Sequence, residues 1–350
     1  MDAIDLHAHV TPQRFQSAIR QRGEWHGLTA EVGELDVPGF RLGVSDRLRD
    51  MDAVGVAMQA VSPNAGFYQY DKDPETTATI ARDCNDEIAE MCDHHPDRFV
   101  GLATLPMQDV PAAIAELRRG MREFGFKGAM VDDHVNGRTW DEPEFEPFWA
   151  AVEELGAVVF FHQGSATVVT HRIDRYHLAN SVGNLTERAL TFGALVGGGV
   201  LDRHPRLKLL LGHAGGYAAF GAARMDRAWE AGQQLVAEGV DPAVALGGQY
   251  GAEAELRARP EASRQSQPPS AYLGRFFYDS CTYTAATLRF LIDQVGADRV
   301  VLGTDYPAPM ILPDAVRWIT SLPELSSDEK DMVLTDNARS LLASLHPGNP

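Results

Sequence analysis

Two histidines one residue apart, His7 and His9, end the apolar run Ile4-Asp5-Leu6-His7-Ala8-His9-Val10. Successive side chains on a strand point to opposite faces, so residues two apart share a face, and two imidazoles at one strand end make half of a metal site. An isolated His-x-His is more often a coincidence than a ligand pair, so the decision rests on how other apolar runs end. Val158-Val159-Phe160-Phe161 runs into His162, Leu209-Leu210-Leu211-Gly212 into His213, and Val300-Val301-Leu302-Gly303-Thr304 into Asp305. One histidine at such a place is usually a hydrogen-bonded core residue. The same pattern at four strand ends points to chemistry.

Imidazole and carboxylate suit a divalent ion, Zn2+ or alternatively Mn2+, and three or four protein ligands with one open position describe a catalytic site. Water in that position has its pKa lowered from ~15.7 to about 7, which supplies hydroxide at neutral pH. His7, His9, His162 and Asp305 are therefore assigned to the metal. His213 is kept apart, because a fifth ligand would displace the water and an unligated histidine can move its proton. The neighbouring Gly215-Gly216 permits close backbone approach or a tight turn before a helix.

Other candidates read as structural. His94-His95 precede Pro96 at a helix end, where a cation meets the helix dipole favourably. His26, His204 and His346 sit in polar contexts that suit solvent, while His134, His171 and His177 fall near the predicted pocket and suit supporting positions. Lys127 reads as an exposed charge at a strand entrance, and Cys281 as a small buried core residue.

Such a site needs elements that bring distant strand ends together. Short apolar segments rich in β-branched residues predict strands near 3–6, 57–61, 99–105, 128–131, 158–161, 208–211, 276–279 and 300–302. Helical periodicity falls between and after them, near 46–54, 74–94, 111–124, 144–155, 184–197, 216–230, 284–295 and 314–320, and 326–345 reads as one more helix. Eight alternations predict an α/β fold, a TIM-type (β/α)8 barrel forming a single domain over 1–350. Such barrels carry their chemistry at the C-terminal ends of the strands. An open doubly wound sheet is the competitor, but no Gly-x-Gly-x-x-Gly follows the first strand. Two stretches break the alternation, 10–43 after the first strand and 236–270 before the seventh. In a barrel they are long excursions over the mouth or at a subunit contact.

Composition sets the outer limits. A chain of 350 residues that is 44% hydrophobic can bury a large core. A formal charge of -18 with no basic run excludes a nucleic-acid partner, and an anionic substrate would need locally placed arginines. Cys84, Cys92 and Cys281 show neither metal spacing nor a disulfide framework, and no apolar stretch reaches membrane-spanning length. The expectation is a cytoplasmic protein with no membrane partner.

Longer motifs add a family. Asp5-Leu6-His7-Ala8-His9 is followed by Met51-Asp52-Ala53-Val54-Gly55-Val56 and Gln59-Ala60-Val61-Ser62-Pro63. Then come Arg98-Phe99-Val100-Gly101-Leu102-Ala103-Thr104-Leu105-Pro106-Met107-Gln108, Leu201-Asp202-Arg203-His204-Pro205 with Gly212-His213-Ala214-Gly215-Gly216, and Leu302-Gly303-Thr304-Asp305-Tyr306-Pro307. This ordered set, spread over nearly the whole chain, resembles the amidohydrolase superfamily, in the branch of the α-amino-β-carboxymuconate-ε-semialdehyde and hydroxybenzoate decarboxylases. The resemblance implies zinc ligands at His7, His9, His162 and Asp305 and a catalytic base at His213. It also implies two arginines that hold substrate carboxylates, matching Arg47 and Arg224, the second supplied by a neighbouring subunit, and hence a homodimer. A guanidinium makes paired, charge-assisted hydrogen bonds to a carboxylate, which fits a small carboxylic acid as substrate.

The chain departs from the semialdehyde decarboxylase pattern at Gln163-Gly164-Ser165, where that enzyme has Pro and an aromatic residue, and again over 170–184. The implied activity is metal-dependent non-oxidative decarboxylation of an unsaturated or aromatic carboxylic acid. It would proceed by hydroxide addition helped by His213, or by direct chelation with Asp305 protonating the ring carbon. The alternative is a metal-dependent hydrolase or hydratase acting on an amide, lactone or unsaturated acid, which needs the same ligands and base. A non-catalytic barrel would have no use for this ligand set.

Overall fold

The computed structural model describes residues 2–164, 170–240 and 264–343. All eight predicted strands form: β1 (Ala3–Val10), β2 (Val56–Pro63), β3 (Phe99–Ala103), β4 (Gly128–Val131), β5 (Val158–Phe161), β6 (Lys208–Leu211), β7 (Phe276–Asp279) and β8 (Val300–Val301). They pair in parallel in sequence order within one eight-stranded sheet. β4 and β5 are buried at every position, as expected of parallel strands covered on both faces. The ring closes where β1 meets the chain just past β8. Leu6 N–H donates to the Leu302 carbonyl (2.9 Å), Asp305 N–H to the His7 carbonyl (2.9 Å), and His9 N–H to the Tyr306 carbonyl (2.7 Å). This seam explains why β1 runs past its predicted end at residue 6 to Val10: backbone pairing, which hydropathy does not report, carries both histidines inside the strand.

The principal helices are α1 (Gln13–Arg22), α2 (Val44–Val54), α3 (Pro74–His94), α4 (Val110–Glu123), α5 (Glu146–Leu155), α6 (Asn184–Gly197), α7 (Ala218–Ala237), α8 (Ala285–Val295) and α9 (Ala315–Ser321). Local chemistry marks their ends. Asp73 caps the Thr76 amide with Pro74 at the first position of α3, Asp109 caps the Ala112 amide of α4, and α2 and α5 stop at left-handed Gly55 and Gly156.

Two expectations are corrected in detail. The excursion 10–43 contains α1, which sequence periodicity did not reveal; Phe15 packs with Leu28, Phe67, Ile80 and Cys84 in a small core of its own. The predicted helix 326–345 divides into Ser327–Asp331, a wide turn at Met332–Asp336 and Asn337–Leu342. Its ladder breaks where the Val333 carbonyl accepts the Leu302 amide (2.8 Å) and Asn337 Nδ2 donates to the carbonyls of Ala297 and Val300. Of the excursion 236–270, residues 241–263 lie outside the described residues. No helix among the described residues is long and apolar enough to cross a membrane.

Asp5 fastens the seam. Its fully buried carboxylate accepts from the Thr304 amide (3.0 Å) and hydroxyl (2.6 Å), the His7 amide (3.1 Å) and Gln59 Nε2 (3.0 Å), tying β1 to β2 and to the chain after β8. Asp5→Ala leaves these donors buried without an acceptor and is expected to cost roughly 2–4 kcal/mol in urea denaturation of the metal-free protein. A loss well under about 1 kcal/mol would show that the seam holds without it.

Candidate metal centre

His7, His9, His162 and Asp305, carried by β1, β5 and the turn after β8, present donor atoms that all lie within 4.8 Å of one another. His7 Nε2 is 3.0 Å from His9 Nε2, and Asp305 Oδ1 is 3.3 Å from each. The His162 ring lies 4.9 Å from that of His7 and 4.5 Å from that of His9, centroid to centroid.

Hydrogen bonds on the far side of each ring fix the tautomers. His7 Nδ1–H donates to Asp279 Oδ2 (2.6 Å). Ser62 Oγ–H donates to Met130 Sδ (3.0 Å), so Ser62 Oγ is left to accept from His9 Nδ1–H (3.3 Å). His162 Nδ1–H donates to the Gln163 carbonyl (3.1 Å), while its buried Nε2 has no hydrogen-bond partner. All three Nε2 atoms therefore face inward, His9 and His162 with lone pairs and His7 with one once its Nε2 proton leaves, and lone pairs 3.0 Å apart repel unless a cation lies between them. The donor set fits a divalent ion.

The charges agree. Burial pushes His9 down to about 4 and His162 well below the usual imidazole range, so both are neutral donors. Burial also opposes charge on His7, but Asp305 and Asp279 outweigh it and raise His7 to about 10. Asp305 is resisted by burial yet pulled well below the usual carboxylate range, first by His7. With His9 and His162 neutral, the positive charge that the two carboxylates demand rests on His7 in the metal-free cluster, and a divalent ion would take the place of that proton.

Asp279, at the end of β7, joins this ligand cluster to His213. Besides His7 it accepts the backbone N–H groups of His213 (2.8 Å), Ala214 (2.7 Å) and Cys281 (3.1 Å). Gly303 makes the His7–Asp279 contact possible, since a Cβ there would stand 2.6 Å from Asp279 Cβ and 2.9 Å from His7 Cβ. His213 is itself buried, with Nε2 3.8 Å from Asp305 Oδ2 and no hydrogen bond at Nδ1.

The arginines stand apart from the cluster. Arg47 is buried behind His9: it donates to the His9 carbonyl and to Gln59 Oε1 (2.9 Å), and its guanidinium lies 4.6 Å from the Tyr306 ring centroid. Arg224 is exposed on α7. Lys127 precedes β4 outside the ligand cluster, and Cys281 is buried with Sγ 4.0 Å from His7 Nδ1 and 3.3 Å from the Gly303 carbonyl. His134 accepts the Gly137 amide (3.1 Å), His26 meets Asp83 (2.7 Å), and His177 is exposed. His204, expected at solvent, is buried between Glu146 (2.9 Å) and Glu153 (3.6 Å) of α5, whose charge its polar neighbours in sequence do not disclose. The side chain of His171, and Ser165 and His346, lie outside the described residues.

Sequence reasoning missed Asp279, Asp5, Ser62 and the fully buried Arg188, which pairs with Asp133 beyond β4. For Asp279 the signal was present: Phe276-Phe277-Tyr278 is another apolar run closed by an acid.

Comparison with known proteins gives the same answer. The chain is 30% identical to a 2-amino-3-carboxymuconate-6-semialdehyde decarboxylase of Dictyostelium discoideum, over 97% of this chain and 91% of that protein. Its structure is similar to that of 5-carboxyvanillate decarboxylase from Sphingomonas paucimobilis (26% identity, 97% and 98% of the two chains, TM-score 0.79). It is also similar to a dihydroxybenzoic acid decarboxylase from Polaromonas sp. JS666 solved with manganese and 2-nitroresorcinol (24% identity, 97% and 96%, TM-score 0.76). The amidohydrolase family profile matches residues 4–343, and with the barrel and its ligand cluster in place the chain belongs to that family.

Proposed function

We propose that this chain is a metal-dependent carboxy-lyase that removes CO2, without redox chemistry, from a small aromatic or unsaturated carboxylic acid. The observation that carries this reading is the convergence of three Nε2 lone pairs and Asp305 Oδ1, with the second Asp305 oxygen turned towards His213, in a relative of decarboxylases. Zn2+ or Mn2+ held by His7, His9, His162 and Asp305 would polarise the substrate carboxylate and an adjacent hydroxyl.

The remaining work falls to side chains. Decarboxylation breaks the bond between the substrate carbon and its carboxylate carbon, and the electron pair left on the substrate carbon must take a proton as CO2 departs. His213 Nε2 and Asp305 Oδ2, 3.8 Å apart, face the same space and serve as the proton-bearing pair, which is recharged from solvent. Arg47, which donates to the His9 carbonyl, would add positive charge beside the ligand strand that favours an anionic substrate.

Arg224 reaches the site of a second subunit in a homodimer. Supporting this, Phe220, one turn earlier on α7, is 79% exposed and touches the half-exposed Phe290 of α8, which leaves an apolar face beside the arginine. The three cysteines are unpaired, which suits the cytoplasm.

Incubation with 2,6-dihydroxybenzoate, 5-carboxyvanillate and a carboxymuconate semialdehyde is expected to release CO2 from at least one. Chelation should abolish the release, and Zn2+ or Mn2+ should restore it. Metal-replete protein that releases none but opens lactones or hydrates double bonds belongs with the hydrolases instead. His213→Asn is expected to lower kcat by about 10²–10⁴ while metal content by elemental analysis stays at the wild-type level. An unchanged kcat would remove His213 from the chemistry. Mixing His213→Asn and Arg224→Ala subunits should recover part of the activity that each lacks alone; no recovery argues against a shared site.

A further inference from the structure

The geometry points to Asp279 as a positioning residue that sets the metal ligand His7 and the proton carrier His213 together, so that the base is in place only when the ligand is. This rests on the reading of His213 as proton carrier.

Four observations carry it. The turn after β6 runs through four consecutive residues with positive φ, His213, Ala214, Gly215 and Gly216, at 53°, 57°, 69° and 57°. Two of these bear a Cβ, which local preference disfavours, so something outside the turn must hold it. The holder is Asp279: Oδ2 accepts the His213 amide (2.8 Å) and Oδ1 the Ala214 amide (2.7 Å), a concave pair of N–H groups closed on an anion. Oδ2 also accepts His7 Nδ1–H (2.6 Å), so one buried oxygen serves the ligand and the base's own backbone. Finally, the His213 imidazole packs against the rings of His7 and His162 but has no hydrogen bond at Nδ1, and its Nε2 is 3.8 Å from Asp305. Its ring is placed by the turn, and the turn by Asp279. The opposite side is already filled, since a Cβ on Gly216 would stand 2.2 Å from the Leu185 carbonyl oxygen. Asp279 thus touches neither ion nor substrate in this scheme, yet a shift of either partner moves the other.

Asp279→Asn keeps an acceptor for His7 but turns an NH2 towards backbone donors. Three measurements follow, compared with wild type, His213→Asn and the double variant. In metal-free protein, hydrogen exchange over 212–217 is expected to quicken at least tenfold in Asp279→Asn, on the order of one lost protecting contact. Mn2+ affinity by electron paramagnetic resonance should fall about 10–100-fold. At saturating Mn2+, kcat should fall to near the His213→Asn level with KM little changed, and the double variant should be no slower than His213→Asn. The coupling is overturned if exchange over 212–217 is unaltered, if kcat at saturating Mn2+ stays within about threefold of wild type, or if the two substitutions multiply.

Should Asp279→Asn not fold, wild-type protein still decides. Zn2+ loading should slow exchange over 212–217 more than over the neighbouring mouth turn 63–67, and equal slowing overturns the coupling. The exchange and Mn2+ measurements need no substrate, so failure of the carboxy-lyase assay and failure of this coupling are separate results.

Discussion

Three imidazole lone pairs forced into one small buried space are the constraint on which the rest of the site depends. Left alone, each ring would turn its donor towards its neighbour's acceptor and the cluster would relax into an ordinary hydrogen-bonded core. It cannot, because Asp279, Ser62 and the Gln163 carbonyl take up the Nδ1 protons on the outer side. The protein thus keeps a concentrated negative potential in its interior, and the stability it gives up is recovered when a cation binds. Asp305 sharpens the demand by adding a full negative charge 3.3 Å from two of the rings.

A closed barrel can sustain such a cluster where an open sheet would not. The four donor residues come from the first, fifth and eighth strand positions, and their relative placement depends on the seam between β1 and the chain after β8. Asp5, buried beneath the ligands, joins three segments there with hydrogen bonds that leave no donor to rearrange. Gly303 allows β8 to pass close enough for His7 and Asp279 to meet. Arg47 adds a positive charge behind β1, held by the His9 carbonyl and stacked on Tyr306. Backbone, not side-chain packing alone, sets the ligand geometry.

Much of this was legible from one line of residues, for a physical reason. Strands of a parallel barrel are buried on both faces and read as apolar runs, so a polar residue at the end of one stands out, as His7, His9, His162, His213 and Asp305 do. Elements defined by pairing rather than composition were less visible. β1 extends beyond its apolar run because the backbone keeps partners there, and α1 lies hidden in a stretch whose few apolar residues pack against Phe67 and Ile80 rather than along one long stripe. Asp279 follows the same strand-end rule. Its meaning depends on the contacts it makes with His7 and the turn at His213, separated from it by 272 and 66 residues. Arg47 and Arg224 show the opposite limit: a resemblance assigns them, whereas their settings, one buried behind a strand and one exposed on a helix, follow from tertiary structure alone.

The order of the ligands along the chain has a consequence for how the protein is made. His7 and His9 are synthesised before the other donor residues, whereas Asp279 and Asp305 come only with the last two strands of the barrel. An unfinished chain holds three imidazoles without either carboxylate that orients or completes them, and it has no seam to bring the ends together. Such a chain lacks the assembled donor set. A cation that binds only the assembled donor set stabilises the closed barrel over the open chain, so metal binding and closure of the barrel are linked.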